Sequence, residues 1–168
     1  SSHSFRIEVT ALVHNNPDIP FVLCLAHIKN FNFYSKMLGR KTVRKELQRI
    51  LRLQQGWSQG PFAKQYHIAG NTFAAIFPFT SKQSLTEKFA VIAQEVEHGA
   101  CQYSHVFPLR LYVGIYITTM AEDENLLFMD MVSRASIALQ MAKTCQESTL
   151  RFYSEDLCEE ALRGQRCT

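Results

Sequence analysis

The most constraining feature of this sequence is a continuous apolar run at residues 21–28, Phe-Val-Leu-Cys-Leu-Ala-His-Ile, which ends before Asn30. The run is much shorter than the roughly 18 residues of a membrane span, and it lacks the spacing of an amphipathic helix. Such a run is typical of a strand that is buried inside a sheet. We therefore expect a fold in which helices pack on a central sheet.

Hydrophobic periodicity and turn residues predict the other elements along the chain. The Gly70-Asn71 pair is a recognised hairpin signal. In chain order the sequence predicts helix 5–13, strand 21–28, helix 37–54, strands 62–68 and 72–77 joined by a turn at 69–71, helix 85–96, strand 109–118, helix 128–142 and a short strand at 150–153. This order predicts an α/β (α+β) sandwich with helices packed on a central mixed sheet.

The composition fits one globular domain of 168 residues, because 46% of the residues are hydrophobic. The 18 Lys and Arg residues nearly balance the 15 Asp and Glu residues, and the net charge of +3 indicates no partner by itself. Residues 1–8 lack the pattern of a signal peptide, and no segment is apolar enough to span a membrane. We expect a cytoplasmic location without membrane contact by this segment, in a parent protein that could be membrane-anchored.

Five scattered cysteines form no C-x-x-C pair, so the sequence gives no zinc or redox motif. We expect reduced thiols, as is usual for cytosolic proteins. Cys24 lies within the apolar run and is expected to be buried and inert.

The helix predicted at 37–54 has a basic face. Val43, Leu47 and Ile50 follow helical spacing on the other side. Such a face could bind phosphates, RNA or an acidic partner surface, or it could simply be solvated. RNA is the weakest of these interpretations, because no aromatic residues are interleaved with the cations. The basic residues proposed as an interaction surface are Arg40, Lys41, Arg44, Lys45, Arg49 and Arg52.

Four segments resemble, in order and spacing, the motifs of one known family. Residues 67–73 read His-Ile-Ala-Gly-Asn-Thr-Phe, and residues 135–143 read Ala-Ser-Ile-Ala-Leu-Gln-Met-Ala-Lys; the other two segments are 27–40 and 111–115. Together they resemble the GGDEF domain, the diguanylate cyclase fold related to the palm of nucleotide cyclases and polymerases. The resemblance covers nearly the whole chain and implies a central, mainly antiparallel sheet flanked by helices.

The resemblance also implies that this domain is degenerate. At the positions where the family carries the two acids that hold Mg²⁺, this chain has His27 and Asn71, and Thr72 replaces the second acid of the hairpin. Mg²⁺ prefers anionic oxygen ligands in octahedral geometry, so an imidazole and an amide are poor substitutes. We therefore expect no metal site, no catalytic residue and no diguanylate cyclase activity.

Three residues stand at positions that the family uses against the nucleotide, namely Ser35, Gly70 and Lys143. The family's Arg-x-x-Asp inhibitory motif corresponds to Gly60 and Ala63, which cannot supply its guanidinium and carboxylate. The resemblance thus implies that binding of Mg²⁺ and GTP is lost or weak. Lys143 could equally be a solvated residue near a helix end.

His27 and His67 are predicted at neighbouring strand ends, which raises a zinc hypothesis. A zinc site usually takes three or four protein ligands, and the sequence supplies no placed third ligand. Ordinary hydrogen-bonded histidines are the better interpretation.

We expect residues 1–153 to form the degenerate GGDEF domain and residues 154–168 to form a connector helix toward an EAL phosphodiesterase domain. The resemblance favours a catalytically inactive regulatory or interaction domain of a bacterial cyclic di-GMP signalling protein. The partner would be a fused or separate EAL domain, another signalling protein or a second copy. One alternative is a GTP-binding sensor that controls a fused EAL domain, and another is RNA binding through the basic helix at 36–52.

Overall fold

The structure, a computed structural model, describes residues 1–56, 60–98, 108–118 and 126–164. These segments form six helices and five strands. In chain order they are α1 (Ser2–Asn15), β1 (Phe21–Lys29), α2 (Phe31–Leu38), α3 (Arg40–Gln55), β2 (Lys64–Ala69), β3 (Thr72–Pro78), α4 (Lys82–His98), β4 (Arg110–Ile117), α5 (Phe128–Ala142), β5 (Thr149–Phe152) and α6 (Glu155–Leu162).

A five-stranded mixed sheet forms the centre of the fold, in the order β2-β3-β1-β4-β5. β1 lies in the middle and pairs antiparallel with β3 and β4, and β2 pairs antiparallel with β3. β5 is parallel to β4. Residues 21–26 of β1 are all buried, because the strand has neighbours at both edges and helices on both faces. The predicted α+β sandwich with a mainly antiparallel sheet is confirmed.

Alternating side chains of the sheet form two apolar clusters. On one face, residues such as Cys24 and Phe73 pack with the inner sides of α2, α3 and α4. On the other face, residues such as Leu23 and Ala74 pack with α1 and α5. α6 lies on this second side, where Leu157 is buried against α5.

The helix predicted at 37–54 is α3, which begins at Arg40, and a separate short helix, α2, precedes it. Gly39 has a φ of +81°, a left-handed conformation that interrupts the helix and that glycine adopts without a side-chain penalty. α2 ends before Gly39 and buries Phe31 and Tyr34, whereas α3 begins at Arg40. The prediction missed α2 because its apolar positions span only two turns.

Gly114 permits a close approach of α5 to β4. A β-carbon at Gly114 would lie 2.3 Å from both the Ala135 carbonyl oxygen and the Leu139 backbone nitrogen. Real β-carbons do not approach backbone atoms so closely, so the packing of α5 on the sheet requires glycine here. Gly114 belongs to the segment 111–115, one of the four segments that resemble the family's motifs.

Cys24 and Cys145 differ in oxidation state. Cys24 is free and buried, and burial raises the pKa of its thiol to about 12, as expected for an inert thiol. Cys145 is disulfide-bonded, so the expectation of reduced thiols is wrong for this residue. The sequence could not show this, because scattered cysteines contain no information about pairing. Cys101 and Cys167 lie outside the described residues.

Within the described ranges, no helix is both long and apolar enough to cross a bilayer. α6 occupies part of the predicted connector, whose residues 165–168 are outside the described part of the chain. The assignment of 154–168 as a connector stays a prediction.

Candidate functional site

The candidate site lies where the end of β1 meets the β2–β3 hairpin. His27 stands opposite Thr72 on one side and Tyr112 on the other in the antiparallel registers. The next backbone amide, that of Ile28, donates a hydrogen bond of 2.9 Å to the Asn71 carbonyl oxygen. The structure therefore brings together His27, Asn71 and Thr72, as the resemblance implied.

Lys143, at the C-terminal end of α5, is the fourth residue of this site. It caps the C-terminal end of α5, where its backbone amide donates to the Leu139 carbonyl oxygen at 2.9 Å. The pKa of His27 is lowered from its ordinary value, mainly by partial burial of the imidazole and secondly by the positive charge of Lys143. The imidazole is therefore neutral near pH 7, and Lys143 is the cation of this site.

The tip of the hairpin carries neutral polar groups. The Thr72 hydroxyl lies 3.2 Å from the Asn71 side-chain oxygen and can donate to it. A β-carbon at Gly70 would meet the Asn32 side-chain oxygen at 3.6 Å, so the tip lies beside the start of α2. Ser35 is three residues beyond Asn32 on α2, which places the two on the same side of this helix.

These donors do not form a metal site of the type that GGDEF domains use. His27, Asn71, Thr72 and Lys143 supply one imidazole, one amide, one hydroxyl and one ammonium group. In the described segments there is no group of three or more His, Cys, Asp or Glu side chains that could hold a metal ion. A cation beside Lys143 would also be repelled by its ammonium group. The residues present therefore do not fit a bound pair of Mg²⁺ ions.

His27 and His67 lie on opposite faces of the sheet. His67 stacks on Phe73 with ring centroids 4.8 Å apart, on the side of α2, α3 and α4. His27 shares its face with Leu23 and Leu25, on the side of α5. β3 also separates β1 from β2. This geometry does not support the zinc hypothesis, because the two imidazoles cannot converge on one ion.

Asn30 is a positioning residue that the sequence analysis missed. It has a φ of 69°, a left-handed conformation that asparagine tolerates better than most residues. Its side-chain amide donates a 2.8 Å hydrogen bond to the Pro108 carbonyl oxygen. Asn30 thereby fixes the turn from β1 into α2, which carries Asn32 and Ser35. The sequence pattern that could have identified this residue is an asparagine directly after a buried strand.

The basic residues of α3 are not equivalent. Arg49 is only 28% exposed, and its guanidinium contacts Glu46 of the same helix and Glu95 of α4. It also donates to the Glu95 carbonyl oxygen at 2.8 Å. Arg49 therefore ties α3 to α4. The remaining predicted residues are exposed, and we call them the α3 basic surface: Arg40, Lys41, Arg44, Lys45 and Arg52.

Sequence comparison finds no matching family model and no significant match among curated proteins. Comparison of structures does find related folds. The GGDEF domain of DgcB from Caulobacter crescentus, solved with c-di-GMP, superposes with a TM-score of 0.69 at 14% identity, over 89% of this chain and 86% of that one. The active GGEEF domain of a diguanylate cyclase from Vibrio cholerae gives 0.68 at 17% identity, over 90% and 93%.

A third similar structure is the diguanylate cyclase SiaD from Pseudomonas aeruginosa, solved in complex with its activator SiaC. It superposes with a TM-score of 0.68 at 14% identity, over 89% of this chain and 57% of that one. At these identities the likeness shows the fold alone. The chain thus has the fold of the GGDEF domains of diguanylate cyclases.

Proposed function

We propose that this chain is a catalytically inactive GGDEF-like regulatory domain of a cyclic di-GMP signalling protein. The observation that carries the proposal is the composition of the candidate site. His27, Asn71 and Thr72 meet at the strand end and hairpin tip, and none of them carries a carboxylate. A diguanylate cyclase needs anionic oxygen ligands there to hold the metal ions that position a triphosphate.

The electrostatics of the site support the same conclusion. Among the described residues of the site, neutral His27 and cationic Lys143 provide no negative charge with which to attract Mg²⁺. Phosphoryl transfer depends mostly on positioning and on charge stabilisation by metal ions. Without the metal ions, the attacking hydroxyl would not be activated and the developing charge would not be neutralised.

A domain of this kind acts through its surfaces. The α3 basic surface offers a binding face for an acidic partner, which we propose to be an EAL domain, another signalling protein or a second copy of the chain. SiaD, a protein of similar fold, has been solved with a protein activator. That complex supports a protein partner in general.

A second candidate function is a GTP sensor without turnover. It is favoured by one observation, the position of Lys143 beside His27 at the hairpin. An ammonium group there could contact a phosphate without a metal ion. GTP binding to the sensor would then regulate a fused domain.

Calorimetric titration with GTP, with and without Mg²⁺, distinguishes the two functions. The regulatory domain predicts no heat of binding in either condition. The sensor predicts binding that does not require Mg²⁺ and that is lost in Lys143→Ala. Binding that requires Mg²⁺ would contradict both, because it would show that the site holds the metal. The Lys88→Ala variant, which removes an exposed cation of α4, is the matched control.

A further inference from the structure

Two helices on opposite sides of the sheet carry opposite charge. α3 packs on the face that contains Cys24 and Phe73. α6 packs on α5, on the other side of the sheet. α3 has six basic residues and one acidic residue, whereas α6 has four acidic residues and no basic residue. The domain is therefore electrostatically polarised across its sheet.

The charge of the α3 basic surface is not compensated within α2 or α3. The only acidic residue in these two helices is Glu46, and its carboxylate contacts Arg49. α2 adds Lys36 and a 44% exposed Met37. The surface of this side of the domain thus combines a row of cations with an exposed apolar side chain.

The outer side of α6 has the complementary character. Glu155, Asp156 and Glu159 are exposed, and Leu162 is 84% exposed. Glu155, Glu159 and Leu162 are spaced by four and three residues, so they lie along one side of the helix, and one exposed cation, Arg163, follows its C-terminal end. Glu160 is turned toward Arg151 at 3.5 Å, and the opposite side of α6 is buried through Leu157.

We infer that the α3 basic surface of one copy docks on the acidic side of α6 of a second copy of this chain. The inference rests on the proposed role of α3 as an interaction surface, and it names the partner. Lysine and arginine side chains would face Glu155, Asp156 and Glu159, and Leu162 would add apolar contact beside Met37. Charge complementarity of this kind sets both specificity and the rate of encounter.

The two surfaces lie on opposite sides of one domain, so the contact joins unlike surfaces. Heterologous contacts of this type produce rings or open chains rather than a closed two-fold dimer. The assembly is expected to grow with protein concentration. It is also expected to weaken when the screening length falls from about 10 Å at about 0.1 M salt to about 3 Å at about 1 M.

Sedimentation equilibrium on the 168-residue chain tests this inference through two charge reversals. Arg44→Glu with Lys45→Glu places two carboxylates within the α3 basic surface, and Glu155→Lys with Glu159→Lys places two cations on the acidic side of α6. Each variant alone is expected to self-associate at least about tenfold more weakly than the parent chain. An equimolar mixture of the two variants is expected to regain association. The reversed side chains of α3 in one variant then face the reversed side chains of α6 in the other, which carry the opposite charge.

Lys29→Glu with Lys88→Glu, which changes the net charge equally at two other exposed positions, should leave self-association unchanged. Three results would overturn the inference: a parent chain that stays monomeric, reversals that do not weaken association, or a mixture that does not recover it. A monomeric chain that binds a polyuridine oligonucleotide through Arg44 and Lys45 would assign α3 to nucleic acid instead. All of these results are independent of GTP turnover, so they do not decide the proposed lack of catalysis.

Discussion

Lys143, at the C-terminal end of α5, lowers the proton affinity of His27, at the end of β1. The two residues are far apart in the sequence, and the packing of α5 on the sheet brings them together. At the end of β1 this pair therefore provides one neutral imidazole and one cation. The relation between them can be measured directly.

Replacing Lys143 by Met should raise the pKa of His27. The rise should be partial, because burial of the imidazole is the larger cause of the lowered value and remains in the variant. Titration of the imidazole signals by NMR measures the effect. Lys88→Met should leave the His27 pKa unchanged, and an unchanged value in Lys143→Met would show that the two charges do not interact.

The folding stability should fall with acidification in the range around and below pH 6.5. His27 has a lower pKa in the folded chain than the ordinary 6.5, so the unfolded chain takes up a proton first as the pH decreases. Above that range, neutral His27 therefore contributes favourably to the folding stability. This contribution is lost as the pH falls toward the pKa of His27 in the folded state. Urea unfolding at several pH values should show a shallower pH dependence in His27→Gln than in the parent chain. Identical slopes would contradict the lowered pKa.

Gly114→Ala should destabilise the domain by about 1–3 kcal/mol, because the β-carbon of the new alanine would overlap the backbone of α5. Gly70→Ala is the matched control, since a β-carbon there meets only a side-chain oxygen at an ordinary distance. Chemical unfolding of both variants gives the comparison. Equal stability of the two variants would show that α5 can move away from β4 without cost.

Arg49→Gln should lower the free energy of unfolding by about 0.5–1 kcal/mol, because Arg49 links α3 to Glu95 of α4. Arg44→Gln removes the same charge from the exposed side of α3 and should change it by less than about 0.5 kcal/mol. Thermal or urea unfolding distinguishes the two roles. A larger loss in Arg44→Gln would contradict the assignment of Arg49 as the structural residue.

Introducing two carboxylates at the candidate site should create Mg²⁺ binding there. His27→Asp with Asn71→Asp places anionic oxygens at the meeting point of β1 and the hairpin, so the affinity for Mg²⁺ should rise severalfold. Calorimetric titration with Mg²⁺ measures the change. Gln48→Glu with Gln94→Glu adds the same charge at exposed positions and should have no such effect. Tight Mg²⁺ binding by the parent chain would contradict the account.

Local patterns predicted most of the fold. The apolar run at residues 21–28 became the central strand, and the Gly70-Asn71 pair lies in the predicted hairpin. α2 was not predicted, because a two-turn helix has too few apolar positions to show a period and Gly39 ends it with a positive φ.

Relations between distant segments were not predictable from the sequence. The zinc hypothesis placed His27 and His67 on neighbouring strands, but β3 lies between β1 and β2. Because side chains alternate between the two faces of the sheet along each strand, the two imidazoles also lie on opposite faces. Likewise, the side of α3 that carries Arg49 could be assigned only once Glu95 of α4 was found beside it. Spacing within one segment contains no information on such contacts.

The most direct test of the central claim is the product of incubation with GTP and Mg²⁺. The chain is mixed with both at high protein concentration, and the nucleotides are separated by chromatography. We predict that GTP is recovered intact and that no cyclic di-GMP forms. Formation of cyclic di-GMP above a protein-free control would show that His27 and Asn71 support metal-dependent catalysis, and it would contradict the proposed function.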